Sequence, residues 1–249
     1  MRNSLTYRRN SGGGCVYHDL GNLNLSFLTS KAEYNRRRNL ELVCAGVRRA
    51  VRGDLGVEIN SRDDIVVAGD RKVSGTAAKL SRRAAYHHCT LLVGVDTGSL
   101  HLALNNPASA AIETNATPSV RSPVENLVNM DTQGPGHTET LIRNIEQAVA
   151  ELFTEDDDDG DAEIVEVDPE DEDRYPGVGE IARHYASWDW VFGKSPKFTV
   201  GGLTVTSGAV TLPGHGDTPH RFSPELVETL RNLHSPDMTA LANIVKDIL

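Results

Sequence analysis

The sequence predicts an α/β (α+β) fold built on a mixed sheet, and three observations carry that expectation. Leu23, Leu25 and Phe27 alternate with Asn24, Ser26 and Leu28, the period-2 pattern of a half-buried strand. Leu141, Ile145, Ala148, Val149 and Leu152 recur at the spacing of an amphipathic helix. Strand and helix signals are interspersed along the chain, which indicates layered α/β or α+β packing. A length of 249 residues is enough to bury a sizeable core, as one large domain or as one domain with a small appendage.

From the N-terminus, Ser4–Tyr7 reads as a short strand that runs into a glycine loop at Gly12–Gly14. The Leu23–Leu28 strand follows. Lys31–Arg52 is a predicted helix, with Leu40, Val43, Val47, Ala50 and Val51 at helical spacing and Gly53 as its stop. Val57–Ile59 and Ile65–Ala68 are strand candidates, and Gly69-Asp70 turns the chain into Arg71–Ser74. Thr90–Val95 is apolar and β-branched, as in a buried strand, and Thr138–Phe153 is the amphipathic helix. Phe198–Val205 and Ala209–Leu212 are expected to pair as a hairpin around Ser207-Gly208. Two short helices begin near Ser223 and Asp237, each a good N-cap residue. Trp188 and Trp190 alternate on what reads as an extended segment, where they are expected to pack a domain junction.

Composition narrows the function classes. Hydrophobic content of 39% and charged content of 24% are ordinary for a globular protein. A formal net charge of −10 argues against general nucleic-acid binding, which calls for a basic surface. No apolar run approaches the ~20 residues of a membrane span, so neither nucleic acid nor membrane is an expected partner. Cys15, Cys44 and Cys89 form neither a disulfide framework nor a CxxC pair, which fits a reducing compartment. Charge is uneven: Glu155–Asp173 holds thirteen acids and no base. Glu155–Glu166 places oxygen donors nearly as an EF-hand calcium loop does, with Gly160 at the sixth position. Glutamate at the first position, and strand and turn residues where a helix should exit, favour a solvated, calcium-indifferent loop instead.

Chemistry concentrates in three stretches. In Arg8-Arg9-Asn-Ser-Gly12-Gly-Gly14-Cys-Val-Tyr17-His18-Asp19, three successive glycines let the backbone approach a phosphate or carboxylate. The two arginines supply fixed positive charge beside it. In Arg71-Lys72-Val-Ser74-Gly75-Thr76-Ala77, a lysine at a strand end can place its ammonium on an oxygen that gains charge during acyl transfer. In Tyr86-His87-His88-Cys89-Thr90, adjacent histidines on a strand face opposite sides, so one at most lines a pocket. A zinc site from His18, His87 and Cys89 fits no standard ligand spacing, and no metal site is expected.

Four strings, Arg8–Phe27, Asp63–Val93, Ser119–Leu127 and WDWVFGKSPKF over Trp188–Phe198, are together similar to the lipoate–protein ligase and lipoyltransferase family. The resemblance implies the mixed-sheet catalytic domain shared by biotin and lipoate protein ligases over residues 1–197. A small, shortened C-terminal α+β accessory domain would follow over 198–249. It implies that lipoyl-AMP binds as substrate against Arg9, Gly14, Cys15, Val16 and Tyr17, with Lys72 catalytic on the acyl-phosphate. Arg62, Thr90 and Thr117 are further ligands on the resemblance alone. His18 and Asp19 are candidates for a general base, or else hold structural hydrogen bonds. Cys15 and Cys89 are candidate thioester carriers or inert thiols.

The resemblance further implies an acyltransferase that moves a lipoyl group from lipoyl-AMP, or from a lipoylated carrier protein, to a specific lysine of a lipoyl domain. The expected acceptors are 2-oxoacid dehydrogenase acyltransferase subunits and the glycine-cleavage H protein. The alternatives are full ATP-dependent ligation, which adds ATP and Mg, and a non-catalytic module that binds lipoyl-AMP or a lipoyl domain. Tyr86-His87-His88-Cys89 and Asn115-Ala116-Thr117 resemble the mitochondrial transferase branch, which places the protein in the matrix. Family members carry a substantial segment before the arginine pair. This chain has seven residues there, so an N-terminally truncated start, with its transit peptide out of view, is expected.

Overall fold

A computed structural model describes residues 6–51, 53, 55–105, 110–116, 122–128, 135–155, 164–212 and 218–248. The chain divides into two compact units, residues 10–100 with 119–166, and residues 1–9 with 101–118 and 167–249.

The first unit is built on a three-stranded antiparallel sheet in the order β1 (Asn22–Ser30), β6 (Ala84–Leu92), β5 (Ser74–Leu80). A smaller antiparallel sheet, β2 (Glu58–Ile59), β3 (Ile65–Val67), β4 (Arg71–Lys72), precedes β5 in the chain. The one parallel pairing among the described residues is an isolated bridge between Lys72 and Val124. Helix α1 (Arg36–Ala50) packs on α3 (Pro135–Glu155), where Gly46 lies against Val149 so closely that a Cβ would stand 2.4 Å from its Cγ2. Helix α2 (Thr97–Leu104) follows β6 in the chain. The core gathers Leu23 and Phe27 of β1, Leu40, Val43 and Val47 of α1, Ile65 of β3, Leu91 of β6 and Ile145 of α3. Each such side chain contributes roughly 1.5–3 kcal/mol by leaving water.

Local chemistry explains where these elements start and stop. Asn35 accepts a hydrogen bond from Arg38 N at 3.0 Å and caps α1, so the helix begins at Arg36 rather than at Lys31. Ala68 (φ 49°) and Gly69 (φ 87°) make the left-handed turn that folds β3 onto β4, pairing Val66 with Lys72. The strand expected over Thr90–Val95 lies earlier, over Ala84–Leu92, and so includes both histidines. Thr6 and Tyr7 of the expected first strand are irregular.

The second unit holds a five-stranded antiparallel sheet in the order β11 (His220–Arg221), β10 (Ala209–Val210), β9 (Leu203–Thr206), β8 (Phe198–Val200), β7 (Ile112–Thr114). Ser207 (φ 51°) and Gly208 (φ 70°) form the expected two-residue hairpin turn. Gly201 and Gly202 add a second turn inside Phe198–Val205, splitting that predicted strand in two. Helices α6 (Pro224–Asn232) and α7 (Pro236–Ile248) cover the sheet through Leu226, Leu230, Leu241 and Val245. Ser223 stands at the α6 N-cap, but its hydroxyl donates to Glu225 Oε2 at 2.5 Å instead of accepting from the helix. The tryptophan segment is helical, not extended. It forms the single turn α5 (Trp188–Val191), preceded by α4 (Val178–Ala186) and capped by Ser187. Trp190 Nε1 donates to Arg8 O at 2.6 Å, and the Arg221 guanidinium lies over the Trp188 ring.

No helix among the described residues is long and apolar enough to cross a membrane. The calcium-like loop lies largely outside the described residues.

His87 is fully buried at the heart of the first unit, stacked on Phe27. Its Nδ1 meets Asn39 Nδ2 at 3.2 Å and its Nε2 meets Thr76 Oγ1 at 2.5 Å. Burial, then the nearby charges of Arg36 and His88, push its pKa down from 6.5 to about 4. A base depressed on folding takes up more protons when unfolded, so its stabilisation is present above pH 6.5 and lost as pH falls toward 4. Denaturant melts at pH 8 and pH 5 should therefore differ by about 2 kcal/mol from this residue. His87→Gln should lower stability at pH 8 yet remove that share of the pH dependence; an unchanged slope would refute the assignment.

Candidate functional site

Strand β6 sorts its side chains by parity. Ala85, His87, Cys89 and Leu91 are buried in the core, whereas Tyr86, His88 and Thr90 are half-buried on the other face. The register sets Thr90 beside Gly75 of β5 and Asn24 of β1, and His88 beside Ala77 and Ser26. Thr90 Oγ1 accepts from Gly75 N at 3.0 Å. The outer face is thus floored by small residues between polar ones.

The glycine loop is tied at both ends, to this face at its start and to the segment after β6 at its exit. At its start Ser11 Oγ stands 2.7 Å from His88 Nε2. At its exit Asp19 Oδ1 accepts from Gly21 N and Oδ2 from Asp96 N, at 2.8 and 2.9 Å. Val93 N and Gly94 N both donate to Gly21 O at 3.0 Å, and a Cβ on Gly21 would sit 2.0 Å from Gly94 O. Asp19 therefore has a structural task, while His18 is exposed. Between the ties, Gly13 adopts φ 101°, Gly12 has open space around it, Cys15 and Val16 are exposed, and Tyr17 is half-buried.

Beside the sheet lies a cluster of charge. Lys72 Nζ is 2.6 Å from Asp64 Oδ1, and Arg62 Nη2 is 3.3 Å from Asp64 Oδ2. The Asp64 side chain is 9% exposed, against 25% for Lys72 and 49% for Arg62. The Asn60 side chain builds the turn beneath, accepting from Arg62 N and Asp64 N at 2.9 and 3.0 Å, with Asp63 left-handed at φ 59°. Ser122–Glu125 braces the cations from another side. Arg62 Nη2 donates to Ser122 Oγ at 2.9 Å, Lys72 N donates to Pro123 O at 2.8 Å, and Lys72 O accepts from Glu125 N at 3.0 Å.

Other expected site residues are placed differently. Arg8 serves the second unit, donating from Nε to Val191 O and from Nη2 to Ser195 Oγ, at 2.7 and 2.8 Å. Arg9 is counted in that unit as well and is half-buried, and Thr117 lies outside the described residues. Cys89 is 2% exposed, and burial pushes its thiol up to about 12. That removes it as a thioester carrier, because the thiolate is the nucleophile.

The lipoyl protein ligase A/B catalytic domain model matches residues 2–150. The chain belongs to that family. It is 41% identical over 193 residues to "Lipoyl amidotransferase LIPT1, mitochondrial" of Mus musculus, covering 78% of this chain and 49% of that protein. It is 35% identical over 192 residues to "Lipoate-protein ligase A" of Psychrobacter cryohalolentis, covering 77% of this chain and 55% of that protein. The chain thus spans about half the length of these relatives. The crystal structure of P. falciparum LipL1 in complex with lipoate shares the fold, with a TM-score of 0.51 at 21% identity over 82% of this chain and 59% of that one. The expected ligase fold class is therefore correct.

Within this lipoyl ligase domain, sequence reasoning passed over Asp64, Asn60 and Ser122. Asp63-Asp64 after Asn60 reads as an exposed polar turn, and only the folded hairpin shows one carboxylate turned inward against two cations.

The three cysteines should separate cleanly in a labelling experiment. Burial pushes Cys44 up to about 11 and Cys89 to about 12, whereas Cys15 is exposed. Native protein treated with a maleimide at pH 7.5 should show one fast thiol, assigned to Cys15 by mass spectrometry. The other two should follow only on unfolding. Fast labelling of Cys89 would contradict its burial.

Proposed function

We propose that this chain is an acyltransferase that moves a lipoyl group from lipoyl-AMP, or from a lipoylated carrier protein, to a specific lysine of lipoyl domains in 2-oxoacid dehydrogenase complexes. The glycine-cleavage H protein is a further acceptor in this reading. The carrying observation is the pair of cations, Lys72 and Arg62, held on one nearly buried carboxylate. Family membership and the relative named a lipoyl amidotransferase support the same chemistry. That relative's name, which includes "mitochondrial", supports the matrix as the place of action.

In this mechanism lipoyl-AMP lies across the outer face of β6. The peptide N–H groups of Gly14, Cys15, Val16 and Tyr17 face its acyl-phosphate, and Thr90 and Arg62 hold its polar parts. Arg9 and Thr117 complete the proposed ligand set. The neutral ε-amine of the acceptor lysine attacks the acyl carbonyl, an amide bond forms, the carbonyl–phosphate bond breaks with its electron pair leaving on AMP, and the proton lost from the nitrogen passes to solvent water. Lys72 neutralises charge on the carbonyl oxygen and on the departing phosphate, where a fixed cation in a partly dry site is most effective. Alignment of amine and carbonyl supplies much of the remaining acceleration. Residues 1–197 carry this chemistry in this reading, and 198–249 supply most of a small accessory domain, whose apolar cluster runs from Val200 to Val245 and whose sheet also takes in Ile112–Thr114.

The relative named a lipoate–protein ligase favours one alternative, ligation of free lipoate, for which ATP with Mg is the activating cosubstrate in this proposal. ATP–pyrophosphate exchange dependent on lipoate would establish it, and single-turnover transfer from synthetic lipoyl-AMP without ATP supports transfer alone.

Lys72→Ala should slow transfer from lipoyl-AMP by at least ~10²-fold, the scale for losing one preorganised electrostatic group. Lys72→Arg should restore only part of the rate, because a planar fork does not replace a compact ammonium. A near wild-type rate for the alanine variant would remove Lys72 from the mechanism.

A further inference from the structure

Asp64 has no place in the reaction as written, yet it is the most closely held charge in the cluster. Each of its carboxylate oxygens serves a different cation, Oδ1 to Lys72 at 2.6 Å and Oδ2 to Arg62 at 3.3 Å. The side chain is 9% exposed, so water screens these contacts weakly. Its backbone is fixed independently: Asp64 N donates to Asn60 Oδ1, and Asn60 N donates to Asp64 O, both at 3.0 Å. Neither cation is placed by its own backbone alone, since lysine and arginine side chains carry about 2 kcal/mol of rotamer entropy each. A shared carboxylate at a fixed point is what holds two like charges side by side.

We propose that Asp64 is a positioning residue, which sets Lys72 Nζ and the Arg62 guanidinium in place for an incoming acyl-phosphate. The proposal rests on the lipoyl-transfer reading of this site. Two cations and one carboxylate leave one net positive charge, which matches the single negative charge on the phosphate of an acyl-adenylate. Lys72 has three N–H donors, and Asp64 takes one. The ligand therefore binds to the pair as it stands, without opening it. The ammonium meets the phosphate already oriented, so Asp64 acts on the rate of the chemical step more than on affinity.

The test uses the 249-residue chain and two substitutions. Asp64→Asn keeps the shape and removes the charge; Asp64→Glu keeps the charge. In transfer from lipoyl-AMP, Asp64→Asn should lower kcat by at least ~10-fold, the effect of a loosened catalytic group. KM for lipoyl-AMP should change by less than about 3-fold. A second measurement does not depend on turnover. Acetic anhydride labelling, read lysine by lysine by mass spectrometry, should modify Lys72 more slowly than the exposed Lys79 and Lys197 in the wild type. Asp64→Asn should speed Lys72 alone, and Asp64→Glu should keep it slow. Equal acceleration of all lysines would signal unfolding and overturn a positioning role. So would unchanged Lys72 labelling, or an unchanged kcat in Asp64→Asn. If the wild type transfers nothing, the lipoyl-transfer reading fails, while the labelling still decides whether Asp64 holds Lys72.

Discussion

Strand β6 has to satisfy two environments at once, and the rest of the first unit is arranged around that demand. Hydrogen-bonded on both edges, by β1 over Asn22–Ser30 and by β5 over Ser74–Leu80, it has no freedom to shift register. A slip of one residue would turn His88 and Thr90 into the core and expose His87 and Leu91. The buried half of the alternation meets α1 and α3, while the other half meets the glycine loop through Ser11. The depressed basicity of His87 follows from the same constraint. A neutral imidazole bonded to Asn39 and Thr76 can fill an apolar position, and a charged one cannot.

The glycine loop illustrates how a flexible sequence is given a fixed place. Glycines at 12–14 have the conformational range to bring backbone N–H groups toward an anion, at an entropic cost. That cost is offset at the loop's ends rather than in its middle. Asp19 spends both carboxylate oxygens on backbone donors, and Gly21 admits a contact with Gly94 that no other residue could make. The motif His18-Asp19-Leu20-Gly21 is thus a fastening. A carboxylate next to a histidine invites a catalytic reading, and the donors at 2.8 and 2.9 Å give it a structural task.

What the sequence revealed depended on whether its signal was local. The β1 alternation, the apolar stripe of α3 and the opposite faces of His87 and His88 rest on periodicity, and all three appear in the fold. Strand β5 was hidden, because Ser-Gly-Thr-Ala-Ala-Lys has low strand propensity and is held extended by its pairing with β6. The tryptophan segment misled, because two aromatics one residue apart mimic strand alternation, while Ser187 capping a single helical turn settles it otherwise. Lys72 could be singled out from its neighbours, but its partner could not. Asp64 is eight residues away across a hairpin whose turn depends on two left-handed residues, Ala68 and Gly69.

Net charge gave the broadest exclusion and the least information about the site. A chain at −10 should repel anions, yet the proposed ligand is one. The two statements concern different distances. Exposed charges more than about 8–10 Å apart are largely screened at physiological ionic strength, so the net charge of the whole chain acts mainly as a far field. Locally, contacts of 2.6 and 3.3 Å around a 9% exposed carboxylate hold two cations together, and that triad carries one positive charge in excess. The acidic far field then weighs on how fast an anionic ligand arrives, and the clustered cations on how firmly it is held. On this view the arrangement of Arg62, Asp64 and Lys72 carries the selectivity that the overall composition conceals.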